Sequence, residues 1–309
     1  MCTSFKLQTG GILSKNAKQA SKLIKRLADC YRLACRFDVI ALKPGNVSVE
    51  LAGHDMVAAQ FLDAARASAG YLVGANSIGE GILSATHASV ERAGCNTNLG
   101  IVLLSAPLLL AARRSFIDES KTGLREQLKG LLEQTTVADA VAVYEAIGLA
   151  QPGGLGDSEF HDVADIPTVT LLDAMTFASE RDRIAGQYQS NYAEIFNLGV
   201  PIYKHFIHRW SSAKWATVAV YLSFLTSFND SHIERKFGNS VADDVRSEAL
   251  PLERAFKACE NPAKFSSRLV SFDEDLKRGG VNPGTSADLT VASLLTVLLQ
   301  AHLKSVTKA

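Results

Sequence analysis

Four short stretches set glycine or proline beside several polar side chains, a composition suited to loops that meet a small molecule. The first is KPGNVSVELAGHDM, residues 43–56. Its Pro-Gly turn and second glycine, Gly53, let backbone approach a ligand closely. Lys43 near a helix N-terminus makes an anion site, and Asp55 has the chemistry of a metal ligand or an acid–base group. The second is GCNTNLGIVLLSAP, residues 94–107. Asn96, Thr97 and Asn98 stand directly before an oily run, and a helix cap needs only one of them. The third is FNDSHIERKFG, residues 228–238, where Asp230 can hold Mg²⁺ and Arg235 can fork onto phosphate. The fourth is GGVNPGTSADLTVASLL, residues 279–295. Its Asn282-Pro283-Gly284 turn can cradle phosphates with backbone N–H groups, and Asp288 follows early in the last apolar segment.

Each stretch also has a plain structural reading. The first is then a turn with Asp55 favoured by a helix dipole, and the second a capped helix. The third is a solvated loop, and the fourth a helix capped by Ser286. Other chemistry is poorly served. His205 and His208 are three apart and His161 lies elsewhere, with no third metal ligand in register. Neither GxSxG nor HExxH occurs, no GxGxxG follows a strand, and no Walker A sequence is present.

The elements that must position these groups read as helices. Leu23, Leu27, Tyr31, Ala34 and Val39-Ile40 recur at about one turn over residues 16–38. The same spacing predicts helices over 56–73, 78–90, 98–113, 122–133, 136–149, 168–185, 188–198, 201–209, 212–228, 239–259, 263–278 and 286–304. Asn16, Thr122 and Ser286 stand where N-caps are expected. PTVTLL at 167–172 admits a short strand, although Pro167 fits a first helical turn better. With no sustained period-two alternation, the expectation is an all-α fold. QPGGLGD at 151–157 is the one plausible linker. Residues 1–309 are nevertheless read as a single large helical domain of roughly ten or more helices.

Composition narrows the function classes. The chain has 309 residues, and 32 basic residues balance 32 acidic ones. Nothing in this charge favours nucleic acid as a partner. The five cysteines form no CxxC pair and suit a reducing cytoplasm. The polar N-terminus lacks a signal-peptide core, and Leu99 to Ala112 is too short to span a bilayer. A cytoplasmic protein without membrane attachment is therefore expected, its oligomeric state open.

In order and spacing, the four stretches resemble the triphosphoribosyl-dephospho-CoA synthase family. Its members use ATP as a glycosyl donor, release adenine and pass the triphosphoribosyl group to a ribose hydroxyl of 3′-dephospho-CoA. The resemblance implies an all-helical nucleotide-dependent transferase, with ATP as substrate and Mg²⁺ as cofactor. It implies Asp55, Asp230 and Asp288 as catalytic and metal-binding carboxylates. It implies Lys43, Gly45, His54, Asn96, Thr97, Asn98, Arg235, Asn282, Gly284 and Ser286 as substrate-binding residues. The pattern departs from the citrate lyase type at three places. Asn96-Thr97-Asn98-Leu99-Gly100 stands for N-T-H-K-G, Asn282 to Asp288 for S-P-G-G-S-A-D, and Asp230-Ser231-His232 for D-T-N. A histidine and a lysine are thus absent. An enzyme of one-carbon cofactor synthesis (tetrahydromethanopterin or methanofuran) and a non-catalytic ligand-binding relative are the alternatives.

Overall fold

The computed structural model describes residues 9–117, 122–153 and 162–306. Fourteen α-helices make up nearly all of it: α1 (Thr9–Ile40), α2 (Ala58–Gly74), α3 (Ile78–Ala93), α4 (Leu99–Ile117), α5 (Leu124–Glu133), α6 (Val137–Ala150), α7 (Leu171–Ala178), α8 (Arg183–Gln189), α9 (Val200–Trp210), α10 (Ala213–Ser227), α11 (Ser231–Phe237), α12 (Asn239–Ala258), α13 (Ser266–Arg278) and α14 (Gly284–Val306). No strand occurs among the described residues, so the all-α expectation holds. PTVTLL forms no strand; it leads into α7, capped by Thr170. His161 and most of the expected linker, residues 154–157, lie outside the described residues.

Three helices form the centre. In α4, every residue from Ile101 to Ala112 is buried. In α10, Ala216 to Thr226 is buried without a break. Helices apolar all round belong in a core rather than at a surface. Both pack on α14, which also meets α1, and α2 and α3 cover the other side of α4. By length and composition, Leu99–Phe116 and Gly284–Ser305 could each cross a membrane, but 83% of the first and 61% of the second is buried inside the protein. α4 runs on past the oily segment to Ile117 and is thus longer than Leu99 to Ala112; its burial in the protein marks it as a core helix.

Several helix ends differ from expectation. Asn16 and Ser286 lie inside helices that begin earlier, at Thr9 and Gly284, and α5 is capped at Gly123 rather than Thr122. The helix expected over 168–185 is two. Asp182 accepts hydrogen bonds from Ile184 N (2.8 Å) and Ala185 N (3.1 Å), which starts α8 afresh. The segment over 188–198 breaks at Asn191 and Tyr192, both with positive φ. Conversely, the polar stretch 228–238 contains a helix, α11, because Asp230 caps it by accepting from His232 N and Ile233 N.

Candidate functional site

Three polar welds hold one cavity together. The first fixes the turn after α1. Gly45 has φ +80, and a Cβ there would lie 2.7 Å from Pro283 Cδ, so only glycine fits both the backbone and the contact. Gly45 N donates to Asp273 Oδ1 (2.8 Å), and Tyr221 Oη donates to the Pro44 carbonyl (2.5 Å). His54 Nε2 pairs with the Gly45 carbonyl (2.9 Å). Asn46 Nδ2 donates to Asn282 Oδ1 (2.9 Å), joining the first stretch to the fourth.

The second weld joins α11 to α14. Asp230 Oδ2 accepts from both Ser286 N (2.7 Å) and Ser286 Oγ (2.8 Å), while its Oδ1 caps α11. Beside it, the hydroxyls of Ser231 and Thr285 pair at 3.0 Å, and His232 N donates to Thr285 Oγ1 (3.2 Å). The third weld is the ion pair between Arg235 of α11 and Asp182 at the start of α8.

Between these welds lies a cavity of about 520 Å³. Its walls carry polar side chains, among them Asn46, Asn96, Thr97, Asn98, Asn282 and Asp288, and apolar ones, among them Met56, Phe61, Leu103, Ile147 and Met175. His232 and Arg235 face it from α11, and Asp38 from α1. A hollow of this size with mixed polar and apolar walls suits a small molecule that has both kinds of surface.

The mouth of α4 explains its surplus of polar groups. Asn96 Oδ1 accepts from Leu99 N (3.2 Å) and does the capping. Asn98 Nδ2 reaches Tyr31 Oη (3.5 Å). Thr97 is buried and lines the cavity, and its hydroxyl has no hydrogen-bond partner among the described residues. A buried hydroxyl without a partner is costly unless a ligand supplies one. Arg235 Nε is unpartnered in the same way.

Gly100 lets α14 come close. A Cβ on Gly100 would strike the Asp288 carboxyl group, with Cγ at 2.6 Å. Asp288 therefore sits against the first turn of α4, in the cavity wall. Burial, followed by the charges of Asp38 and Asp230, raises its proton affinity well above the usual carboxylate range, and Lys43 opposes this. His232 is pushed the other way, to about 4, by burial and by the nearby charges of Arg235, Lys236 and His54. Its imidazole is neutral at pH 7, with Nδ1 only 2.5 Å from where a Gly284 Cβ would stand.

Of the residues expected at a site, Asn96, Thr97, Asn98, Arg235, Asn282, Gly284 and Asp288 line the cavity. Lys43, Gly45, His54, Asp230 and Ser286 stand behind its wall and hold it in shape. Lys43 is fully buried and pairs with Asp38 (2.6 Å) instead of reaching for phosphate. Asp55 is exposed on a tight turn at φ 60, away from the cavity lining. The carboxylates of Asp55, Asp230 and Asp288 do not gather around one point. Among the described residues, no three His, Cys, Asp or Glu side chains are placed to hold a metal ion. Asp230 could not serve in any case, because both its oxygens are filled by N–H and O–H donors.

Sequence reasoning missed Asp38, Asn46 and Asp182 in the wall. Asp38 carried a readable signal. It falls four residues after Ala34, on the same helical face as Leu27 and Tyr31, where an acid in a buried row calls for a reason. Nothing local marked Asn46 or Asp182.

Residues 24–307 match the CitG family, described as ATP:dephospho-CoA triphosphoribosyl transferase. The chain belongs to this family. It is a transferase, and the family reaction moves a triphosphoribosyl group from ATP to dephospho-CoA. In fold it is similar to a crystal structure from Archaeoglobus fulgidus described as a candidate triphosphoribosyl-dephospho-CoA synthase, with TM-score 0.61 and 24% identity over 78% of this chain and 98% of that one. No curated protein matches the chain.

Proposed function

We propose that the cavity at the ends of α1, α4, α8, α11 and α14 is where this family member cleaves ATP at its adenine–ribose bond and passes the triphosphoribosyl group to dephospho-CoA. The observation that carries this reading is convergence. Residues from all four polar stretches border one hollow, although they lie up to about 240 positions apart in the chain. The apolar side chains of the lining offer a dry surface for the adenine ring. The amides of Asn96, Asn98 and Asn282 are offered to ribose hydroxyls. Arg235 and the unfilled hydroxyl of Thr97 are the donors we assign to phosphate oxygens.

Departure of adenine needs a proton donor, because an anionic purine is a poor leaving group. Asp288 fills that role in our reading. It faces the cavity, and burial with the nearby acids favours its protonated form. The positive character that develops at C1′ meets the dipoles of the surrounding amides. A resident Mg²⁺ does not fit the donor set, so no step is routed through one. Magnesium enters as the counter-ion of the triphosphate, held mainly by substrate oxygens, as Mg²⁺ commonly is. A reducing compartment suits the unbridged thiols of Cys30, Cys35, Cys95 and Cys259.

The test is adenine release from ATP, followed by chromatography with and without dephospho-CoA. The reading predicts acceptor-dependent adenine and a coupled triphosphoribosyl product from the wild-type protein. Asp288→Asn should lower kcat by about 100-fold or more, the usual scale for losing a general acid.

A further inference from the structure

We propose that Asp38 and Asp288 work as a base and an acid facing one cavity, with Lys43 deciding which of the two is ionised. The proposal deepens the transferase reading above and rests on it. Asp38 projects from the C-terminal end of α1 and Asp288 from the start of α14, and both side chains border the hollow. Lys43 Nζ lies 2.6 Å from Asp38 Oδ1 and donates to Asn46 Oδ1 at 3.0 Å. It is entirely buried, so its charge is weakly screened and acts strongly on the acids beside it.

The charge count then forces a choice. Asp38, Asp230 and Asp288 form a group of buried acids with one buried cation, Lys43. Asp230 is committed as an anion, since all four of its contacts are donors. Burial raises the proton affinity of Asp38 and Lys43, 2.6 Å away, opposes this; the anion falls to Asp38 because it is the acid of the pair that Lys43 contacts. A third buried negative charge would stand uncompensated, and such a charge takes up a proton instead. Asp288 is where that proton goes, in line with its raised affinity. The other groups facing the pair do not alter the count. Cys35 on α1 and Tyr221 on α10 are pushed up by burial and stay neutral, and Asp182 is paired with Arg235.

The step balances. The acceptor hydroxyl gives its proton to the Asp38 carboxylate while its oxygen bonds to C1′ of the donor. The C1′–N9 bond breaks, its electron pair leaves with adenine, and the Asp288 proton moves to the departing ring. One proton is taken and one is given, and exchange through solvent resets the pair. The first turn of α4, against which Asp288 rests, favours the anion produced there. The arrangement follows the logic of paired carboxyl groups in glycoside hydrolysis, with a sugar hydroxyl in place of water.

A donor whose leaving group needs no acid separates the two roles. Nicotinamide riboside 5′-triphosphate expels neutral nicotinamide from a cationic glycoside. With ATP, Asp288→Asn and Asp38→Asn should each lose about 100-fold or more in kcat. With the nicotinamide donor, Asp288→Asn should recover at least ten-fold towards wild type and Asp38→Asn should not. Should Asp38→Asn unfold because Lys43 is left unpaired, Asp38→Asn with Lys43→Gln keeps that pair neutral and is measured in its place. Infrared spectra at pH 7 give a check that needs no turnover. A protonated carboxyl band present in wild type should vanish in Asp288→Asn and remain in the Asp38→Asn, Lys43→Gln double variant, which removes the neighbouring acid and the cation together. A folded Asp38 variant with wild-type kcat overturns the proposal. So does equal loss with both donors in Asp288→Asn, or an unchanged carboxyl band. Absence of any adenine release by wild type strikes the transferase reading itself, whereas normal wild-type turnover with unimpaired variants removes only the pair.

Discussion

Gly100 shows how one missing side chain sets the chemistry. Its Cα lies so near the Asp288 carboxyl that a methyl group there must push α4 and α14 apart or turn the carboxyl away. Gly100→Ala is therefore expected to cost about 1–3 kcal/mol in stability, the usual range for overpacking. It should also reduce kcat at least ten-fold. Calorimetry and the adenine assay together check this, and a variant of unchanged stability and activity would contradict the close approach. His232 gives a pH signature at the same scale. Its proton affinity falls from 6.5 in the unfolded chain to about 4 in the folded one. Between these values the unfolded chain binds a proton that the native chain refuses, so acidification through this window removes stability. His232→Asn should abolish that increment, making its melting temperature relative to wild type rise as pH falls from 6.5 towards 4. Asp38, Asp230 and Asp288 work with the opposite sign. Their raised affinities give a contribution present below pH about 4 and lost as pH rises through their folded values. The difference between the two proteins isolates the histidine. A difference that stays flat with pH would show the imidazole is not buried as described.

At the scale of elements, the decisive device is the clamp made by Asp230. One carboxylate caps α11 and also binds the backbone and hydroxyl of Ser286 in α14. It thereby fixes His232 and Arg235 on one wall relative to Asp288 on another. Asp230→Ala leaves those donors unsatisfied, and we expect it to cost about 3 kcal/mol, a lost cap plus buried N–H groups. Ser286→Ala removes one hydrogen bond and should cost about 1 kcal/mol. Denaturant titration checks both. Equal effects would mean that Asp230 does not bridge the two helices. This clamp also explains what was legible in the sequence at this scale. Long apolar periodicity marked α4, α10 and α14, because burial on every side leaves few polar residues to confuse the pattern. α11 was not visible as a helix, since its seven residues are mostly polar and its existence depends on the cap and on Ser286. The split between α7 and α8 was hidden for a similar reason, because Asp182 serves a tertiary ion pair as well as a cap.

Across the whole molecule, the all-α architecture could be read from periodicity alone, and the four polar stretches could be read as a set. Their meeting point could not be derived from spacing, because it depends on how α1, α11 and α14 pack rather than on any local pattern. Hence Lys43 was expected at phosphate and is found neutralising Asp38, while Asp55 was expected in the site and is found outside it. At Asn98 and Leu99 the cavity wall is lined by an amide and an apolar side chain. A donor that binds this wall should stabilise the fold by mass action, so ATP and dephospho-CoA together are expected to raise the melting temperature of wild type. The most direct measurement of the central claim is product analysis under single-turnover conditions, with enzyme in excess over ATP and dephospho-CoA present. One adenine is expected for each triphosphoribosyl group transferred, with near-complete loss of both in a folded Asp288→Asn protein. Transfer that proceeds unimpaired in Asp288→Asn, or ATP consumed without adenine appearing, would contradict it.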